Sequence, residues 1–473
     1  MAKSPVNMQS ADYSPVSSSP WLSWRKHSWI GKLVGILSPW REDSYLLAYS
    51  EPIATVLVCL VIIASPFAEN SLVGVFLVAA GGFWLLLTLA ETKNNQITAI
   101  HLWVFAYFLI SVVATAFSPL KLAALVGLVK FTLYLLFFCL CARILASPRY
   151  GWWIITVYLL VALIVGAYGI RQKLIGVKPL ATWNDPTSPL AEQTRVYSFL
   201  GNPNLLAGYL IPAVAFSVLA LVVWKTGAQK FLAAFCLLIS VSCIYYTGSR
   251  GGWLGLVATA IVFLLGFKFW WSRYLSPFWR KWLIPIALAG FLALVGMGII
   301  LSEPLRLRIF SLFAWREDSS NNFRINVWMA AIQMFKDYFW LGIGLGNKVF
   351  NQIYPLYMQT KYTALSTYCI FLEVAIETGI IGFVAFMGII VSTVKRGIGL
   401  LQQMKPKQDL QGVWVIAALA AMAGLATQGL FDTVWYRPQV NTLWWLAVAV
   451  IARLYSYNPS SAPPQQSHVS QHL

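Results

Sequence analysis

Apolar positions along this chain come in long unbroken runs. Twelve stretches, 52–68, 71–90, 98–117, 122–146, 152–170, 204–224, 229–247, 252–271, 282–301, 372–394, 413–431 and 440–456, are mainly apolar over roughly 17 to 25 residues, the length that crosses a bilayer. Lipid offers no hydrogen-bond partner to an open backbone, so each run is predicted to be a helix. The expected fold class is all-α, a polytopic transmembrane helix bundle of about twelve spans. The polar breaks are short except for 171–203 and 302–371. The longer one holds RINVWMAAIQMFKDYF, 324–339, where Ile325, Trp328, Met329, Ile332 and Phe335 recur at helical spacing. That pattern predicts an amphipathic helix lying on the membrane or capping the bundle. The expected organisation is a tail at 1–51, spans one to nine within 52–301, the large loop 302–371, three more spans within 372–456, and a tail at 457–473.

Composition agrees with the pattern: 59% of residues are hydrophobic and 11% charged, with a mean hydropathy of +0.69. A soluble core of this length does not need so much apolar surface. The Ser- and Pro-containing first fifty residues lack the apolar core and cleavage site of a signal peptide. An even number of spans puts both tails on one side. The short segments on that side carry Lys93, Arg143, Arg149, Lys225, Lys230, Arg273, Arg280, Lys281, Lys395, Arg396, Lys405 and Lys407, against Lys121, Arg250 and Arg437 opposite. By the positive-inside bias both termini are expected to be cytoplasmic, and the protein a multi-pass component of the inner (plasma) membrane. The formal charge of +18 then reports contact with membrane lipids rather than with nucleic acid.

Cys59, Cys139, Cys141, Cys236, Cys243 and Cys369 fall in or beside apolar runs without C-x-x-C pairs. They are expected to be packing residues, with no disulfide framework, no metal and no cofactor. Of the four histidines, His27, His101, His468 and His472, none lies in an outward loop.

Candidate chemistry gathers at the outer face. TGSRGGWLG, 247–255, sets Arg250 among Gly248, Gly251 and Gly252. A planar guanidinium suits phosphate or carboxylate, and turning glycines can offer backbone N–H groups to an anion; the alternative is an arginine reaching to headgroups. RVYSFLGNPNLLAGYL, 195–210, brings Arg195, Asn202 and Asn204 to the mouth of the sixth span, where the two asparagines could equally pack the loop. Arg324 heads the amphipathic stretch. Three arginines and two amides make a candidate pocket for an anionic, hydroxyl-rich ligand. Within or beside spans, Lys130, Glu373 and Glu377 are candidates for a transport path, or for a structural pair of Lys130 with either glutamate. GIGLGN, 342–347, lacks the third spaced glycine of a dinucleotide loop and is expected to end a helix and turn the chain.

The ordered segments GNPNLLAGYL, TGSRGGWLG, R-x-x-x-W with FWLGIGLGN, and LEVAIETGIIG, over roughly 195–390, resemble the O-antigen ligase and polymerase superfamily of bacterial membrane glycan transferases. Within it, the chain resembles the cyanobacterial branch described as bicarbonate transporters, the inorganic carbon transporter family. The resemblance implies a twelve-helix fold with a large periplasmic loop. It also implies a metal- and nucleotide-independent membrane glycosyltransferase that moves a glycan from polyprenyl diphosphate to an acceptor. By the same resemblance Arg250 and Arg324 would bind the diphosphate as catalytic residues, with Ser249 of S-R-G-G, Trp328 of R-x-x-x-W and Glu377 of E-T-G in substrate binding. A ligase carries a histidine about nine residues before that glutamate; here the position is Tyr368, so Tyr368 takes the catalytic place and the histidine is absent. A phenol with a pKa near 10 is a poor general base at neutral pH. The expected function is binding and transfer or polymerisation of a lipid-linked anionic glycan. The alternative is inorganic carbon (bicarbonate) uptake or accumulation, as transporter or supporting subunit, with Lys130 and Glu373 on the path.

Overall fold

The computed structural model describes residues 34, 36–40, 44–91, 98–177, 195–311 and 313–454. The expected tails, apart from 34, 36–40 and 44–51 of the first, lie outside the described residues, as do His27, Lys93, His468 and His472. Among the described residues there is no strand, and the architecture is an all-α polytopic bundle.

Twelve apolar helices follow one another among the described residues: α1 Ser50–Phe67, α2 Asn70–Leu89, α3 Ala99–Phe117, α4 Lys121–Ile144, α5 Pro148–Ile175, α6 Pro203–Val223, α7 Gly227–Tyr246, α8 Arg250–Trp270 and α9 Pro277–Leu301 come first. Three helices of the large loop intervene, α10 Glu303–Phe310, α11 Ser319–Asp337 and α12 Asn347–Ile353, before α13 Ile370–Met404, α14 Gln411–Gly429 and α15 Pro438–Ala452. Eleven of these are long and apolar enough to cross a membrane, whereas α15, at 15 residues, is shorter and almost wholly buried among its neighbours.

The centre of the bundle is α6 and α14, each with 78% of its apolar window buried. Small residues let α14 lie against α8: a Cβ on Gly255 would sit 2.6 Å from the Gly424 carbonyl oxygen, and Thr259 Oγ1 donates to Ala420 O at 3.2 Å. Close backbone approach of this kind is how helices gain contact in lipid, where the hydrophobic effect no longer favours association. At the opposite extreme, α9 has no buried residue and stands at the periphery.

The polar starts of the helices that matter here are capped by their own side chains. Asn202 Oδ1 accepts from the N–H groups of Asn204 and Leu205 at the head of α6. Ser249 Oγ accepts from Gly252 N at the head of α8, and Asp318 Oδ1 from Asn321 N at the head of α11. Each cap fixes the direction in which the chain enters its helix, which in turn fixes the neighbouring arginine.

The amphipathic helix of the large loop is present as α11, but its packed face is not the expected one. Met329 and Ile332 are exposed, while Asn326, Val327, Ala330, Ala331 and Met334 are buried. The smaller side chains allow α11 to lie close on the start of α13, and Met329 and Ile332 turn outward, as apolar side chains of a helix at a lipid interface do, while Ile325, Trp328 and Phe335 stay half-buried.

Past α11 the chain does not simply turn. Gly342, Gly344 and Gly346 all have positive φ and run the segment 339–346 against α13, where Gly379 (φ 64°, ψ −171°) breaks the helix. Ile343 N and Gly344 N donate to Ile376 O and Glu377 O at 2.8 and 3.0 Å, and Ile380 N donates to Phe339 O at 2.8 Å. The broken turn thus has its backbone satisfied by protein, the condition for irregular chain inside a membrane protein. Gly379→Ala would place a Cβ into the Trp340 carbonyl in a backbone region reserved for glycine. The expected loss is at least about 3 kcal/mol, read as a lower unfolding midpoint of the purified protein in nanodiscs.

Candidate anion site

One end of the bundle collects the corner before α6, the α7–α8 corner, α10, the head of α11 and the α14–α15 corner. Together they enclose a cavity of about 270 Å³ lined by Arg195, Asn204, Ser249, Arg250, Arg308, Arg324, Trp328 and Asp432, with the backbone of Gly248 and Gly251. Four guanidiniums from four separate segments meet there. Glycine at 248 suits its φ of 58° and gives Arg308 room, since a Cβ in its place would lie 3.1 Å from a terminal nitrogen of that guanidinium.

Each arginine is held differently. Arg195 donates from Nε to Thr247 O at 2.9 Å and from Nη2 to Asn204 Oδ1 at 3.0 Å. Asn204 in turn donates from Nδ2 to Asp432 Oδ2 at 2.6 Å, so the arginine and the acid are joined through one amide. Arg250 donates from Nη1 to both oxygens of Ser311 at 3.0 Å and forms a 2.9 Å ion pair with Asp318. Arg324 donates from Nε to Phe431 O at 3.0 Å and from Nη1 to Ser320 Oγ at 2.6 Å. Arg308 is the exception: its buried Nε has no protein acceptor.

The balance of charge follows from these contacts. Four guanidiniums face two carboxylates, and Asp318 is already engaged by Arg250. Burial first, then the guanidiniums of Arg308, Arg324 and Arg250, push Arg195 down to about 9, with Asp432 opposing. Burial and then Arg250 push Arg308 down to about 10, and burial lowers Arg324 against the pull of Asp432. At about 9 and 10, Arg195 and Arg308 stay protonated at neutral pH, so the cavity keeps a surplus of positive charge for an anion to neutralise. Asp432 itself is raised by burial, a shift that Arg324 and the Asn204 amide oppose.

The candidate residues divide by position. Arg195, Asn204, Ser249, Arg250, Arg324 and Trp328 share the cavity, with Trp328 Nε1 pinned to Thr367 O at 2.9 Å. Asn202 serves as the α6 cap. Tyr368 flanks Arg324 without lining the cavity; it has φ 54° and packs edge-on to Phe323 at 5.5 Å. Burial, then Asp432 and Tyr436, push its phenol up to about 12 despite Arg324, away from base chemistry. Tyr368→Phe is therefore expected to keep transfer within about threefold of the unaltered protein, since a base would account for at least about 100-fold; initial rates of product formation decide it.

The remaining three lie elsewhere. Glu377 Oε1 accepts from Gly346 N at 2.6 Å, tying the glycine segment to the broken turn of α13. Glu373 Oε2 accepts from Thr367 N and Oγ1 at 2.8 and 2.7 Å. Lys130 is exposed on α4, so the pairing weighed for it with either glutamate is replaced by these local bonds. A lysine on the outer surface of its helix keeps its ammonium away from the bundle interior. His101 sits at the head of α3, hydrogen-bonded to Thr98 Oγ1 at 2.6 Å, and does not line the cavity. Among the described residues no group of three or more His, Cys, Asp or Glu could hold a metal ion.

Arg308 and Asp432 are functional candidates that sequence reasoning passed over. Asp432 carries a signal in hindsight, being an acid at the mouth of an apolar span in a chain with only 16 acidic residues. Arg308 carries none, since Arg306 two positions away is indistinguishable by pattern and remains near the surface beside Glu303.

No curated protein matches the chain. Residues 234–387, which carry Arg250, Arg308 and Arg324 of the cavity, match the family model described as O-Antigen ligase, and over that stretch the chain is similar to O-antigen ligases.

Proposed function

We propose that the chain binds the diphosphate of a lipid-linked glycan at the arginine cavity and transfers or polymerises the glycan on the outer face of the inner membrane. The observation that carries the reading is the convergence of Arg195, Arg250, Arg308 and Arg324 on one cavity with too few carboxylates to neutralise them. The match of residues 234–387 to the O-antigen ligase family supports the same reading.

The chemistry asked of the site is electrostatic. An acceptor hydroxyl oxygen forms a bond to the anomeric carbon of the donor sugar as the bond from that carbon to the diphosphate oxygen breaks. The electron pair leaves with the lipid diphosphate, where guanidiniums fixed in advance hold the growing charge. The hydroxyl proton goes to Asp432, the carboxylate on the cavity wall, whose burial makes it a stronger base than an exposed aspartate. The Asn204 amide and Thr433 N hold that carboxylate in place.

Two measurements on the purified protein in phospholipid membranes test the proposal. Titration with inorganic pyrophosphate is expected to give saturable binding, at least tenfold tighter than bicarbonate, because a single-charged planar anion meets fewer of the four guanidiniums. Proteoliposomes are expected to take up no more labelled bicarbonate than empty liposomes. Saturable, protein-dependent bicarbonate accumulation without pyrophosphate binding sinks the proposal.

A further inference from the structure

A second cavity opens at the same end of the bundle, on the other side of the α6 head. It has a volume of about 420 Å³ and lies between the α1–α2 corner, the turn before α6 and the start of α15. The two cavities share a wall: Asn204 faces the arginine cavity and Leu205 the second cleft, while Asp432 belongs to the first and Gln439 to the second.

Its lining is mixed. Phe67 and Phe199 supply aromatic surface, and Glu69, Asn70, Arg437 and Gln439 supply polar groups. Gln439 is only 8% exposed, yet its amide oxygen has no hydrogen-bond partner, an arrangement that disfavours the empty protein unless a ligand or water supplies a donor. The rings are placed firmly. Phe199 stacks on Tyr168 at 4.2 Å and meets Phe67 edge-on at 5.0 Å, yet Phe199 and Phe67 remain 43% and 45% exposed. Phe199 follows Ser198, a non-glycine residue at φ 51°, which is locked by Ser198 Oγ to Val165 O at 2.7 Å and Ser198 N to Gln172 Oε1 at 2.7 Å. The fold thus fixes a strained turn in order to present an exposed ring.

The chemistry of the lining selects its ligand. One guanidinium and one carboxylate leave no surplus charge, so an anion has no advantage over the neighbouring cavity. The polar groups argue against a purely hydrocarbon occupant. A pyranose fits both features, since its C–H face packs on an aromatic ring and its hydroxyls bond amide, carboxylate and guanidinium groups. We infer that the cleft between Phe67, Phe199, Arg437 and Gln439 is a binding site for neutral sugar residues of the acceptor glycan. This inference rests on the transfer reading, because it is the shared wall with the diphosphate site that makes the bound sugar an acceptor.

The test uses the full chain in nanodiscs made of phospholipid alone, so that sugar comes only from solution. Saturation-transfer NMR with maltotriose at millimolar concentration is expected to give signals from its ring protons. Phe199→Ala, at an exposed position, and Gln439→Leu are each expected to lower those signals at least threefold while leaving pyrophosphate affinity within twofold. Arg250→Ala is expected to do the reverse. A maltotriose signal that is absent, or that both cleft substitutions leave unchanged, overturns the inference. If maltotriose binds through Phe199 but pyrophosphate does not bind at all, the cleft stands as a sugar site and the diphosphate reading fails.

Discussion

Arg324→Ala is expected to abolish pyrophosphate binding and to lower glycan transfer by two to three orders of magnitude. Removing one member of a buried charge pair costs about 2–5 kcal/mol, or roughly 30-fold to several thousand-fold. Arg324 stands in two such relations at once. It is a guanidinium of the anion cavity, and it is the first influence opposing burial at Asp432. Its loss therefore weakens the hold on the leaving diphosphate and also drives the Asp432 carboxyl toward its protonated form. Arg324→Lys keeps the charge but not the fork that donates to Phe431 O and Ser320 Oγ together. An intermediate loss of about tenfold is expected there. The measurements are calorimetric titration with pyrophosphate and the rate of product formation from a labelled polyprenyl-diphosphate glycan, both in nanodiscs. Wild-type pyrophosphate affinity in Arg324→Ala would remove the cavity from the mechanism.

Asp432→Asn separates binding from chemistry. A positioned base contributes about 10²- to 10⁴-fold, and the amide cannot take a proton, so the turnover rate is expected to fall by that amount. Pyrophosphate affinity should hold or tighten, because the substitution removes a negative charge from the cavity wall. Asp432 accepts with both oxygens, Oδ2 from the Asn204 amide and Oδ1 from Thr433 N; asparagine has one acceptor oxygen, so it keeps one of these bonds and loses the other. The pH dependence supplies the sign. Burial raises the Asp432 pKa, and a base acts only when ionised, so the rate of the unaltered protein should climb as pH rises through that raised value. The Asp432→Asn variant should lose this limb. A carboxyl raised on folding stabilises the fold in acid and loses that contribution as pH rises through its folded pKa, so removing the charge costs no stability at neutral pH, and the one lost hydrogen bond sets a destabilisation of about 1 kcal/mol. An unchanged rate with an unchanged pH limb would show that the proton goes elsewhere.

How much of this was legible beforehand depends on whether the property is local. Hydropathy is summed residue by residue, so each of the twelve apolar runs corresponds to a helix. A motif reading named three of the four cavity arginines, Arg195 and Arg250 because asparagine and glycine neighbours mark chain corners, and Arg324 because it heads an amphipathic stretch. The same reading could not separate Asn202 from Asn204, two positions apart: one caps α6 and the other links Arg195 to Asp432. Nor could it place Glu377, whose partner Gly346 lies 31 residues earlier, or tell which side of α11 would be buried.

By itself the amino-acid order determined an all-α bundle of bilayer-length helices with arginines gathered beside its polar corners, since span length and charge placement are answers to the solvent on either side. Only the tertiary structure decided that Arg308 and Asp432 complete the cavity, that Tyr368 stands beside it, and that Lys130 stays on the outer surface. Those outcomes rest on distances between segments brought together by helix packing, as where Gly255 meets Gly424 and Gly248 yields room for the Arg308 guanidinium. Such distances belong to pairs of residues far apart in the chain, and no local pattern carries them.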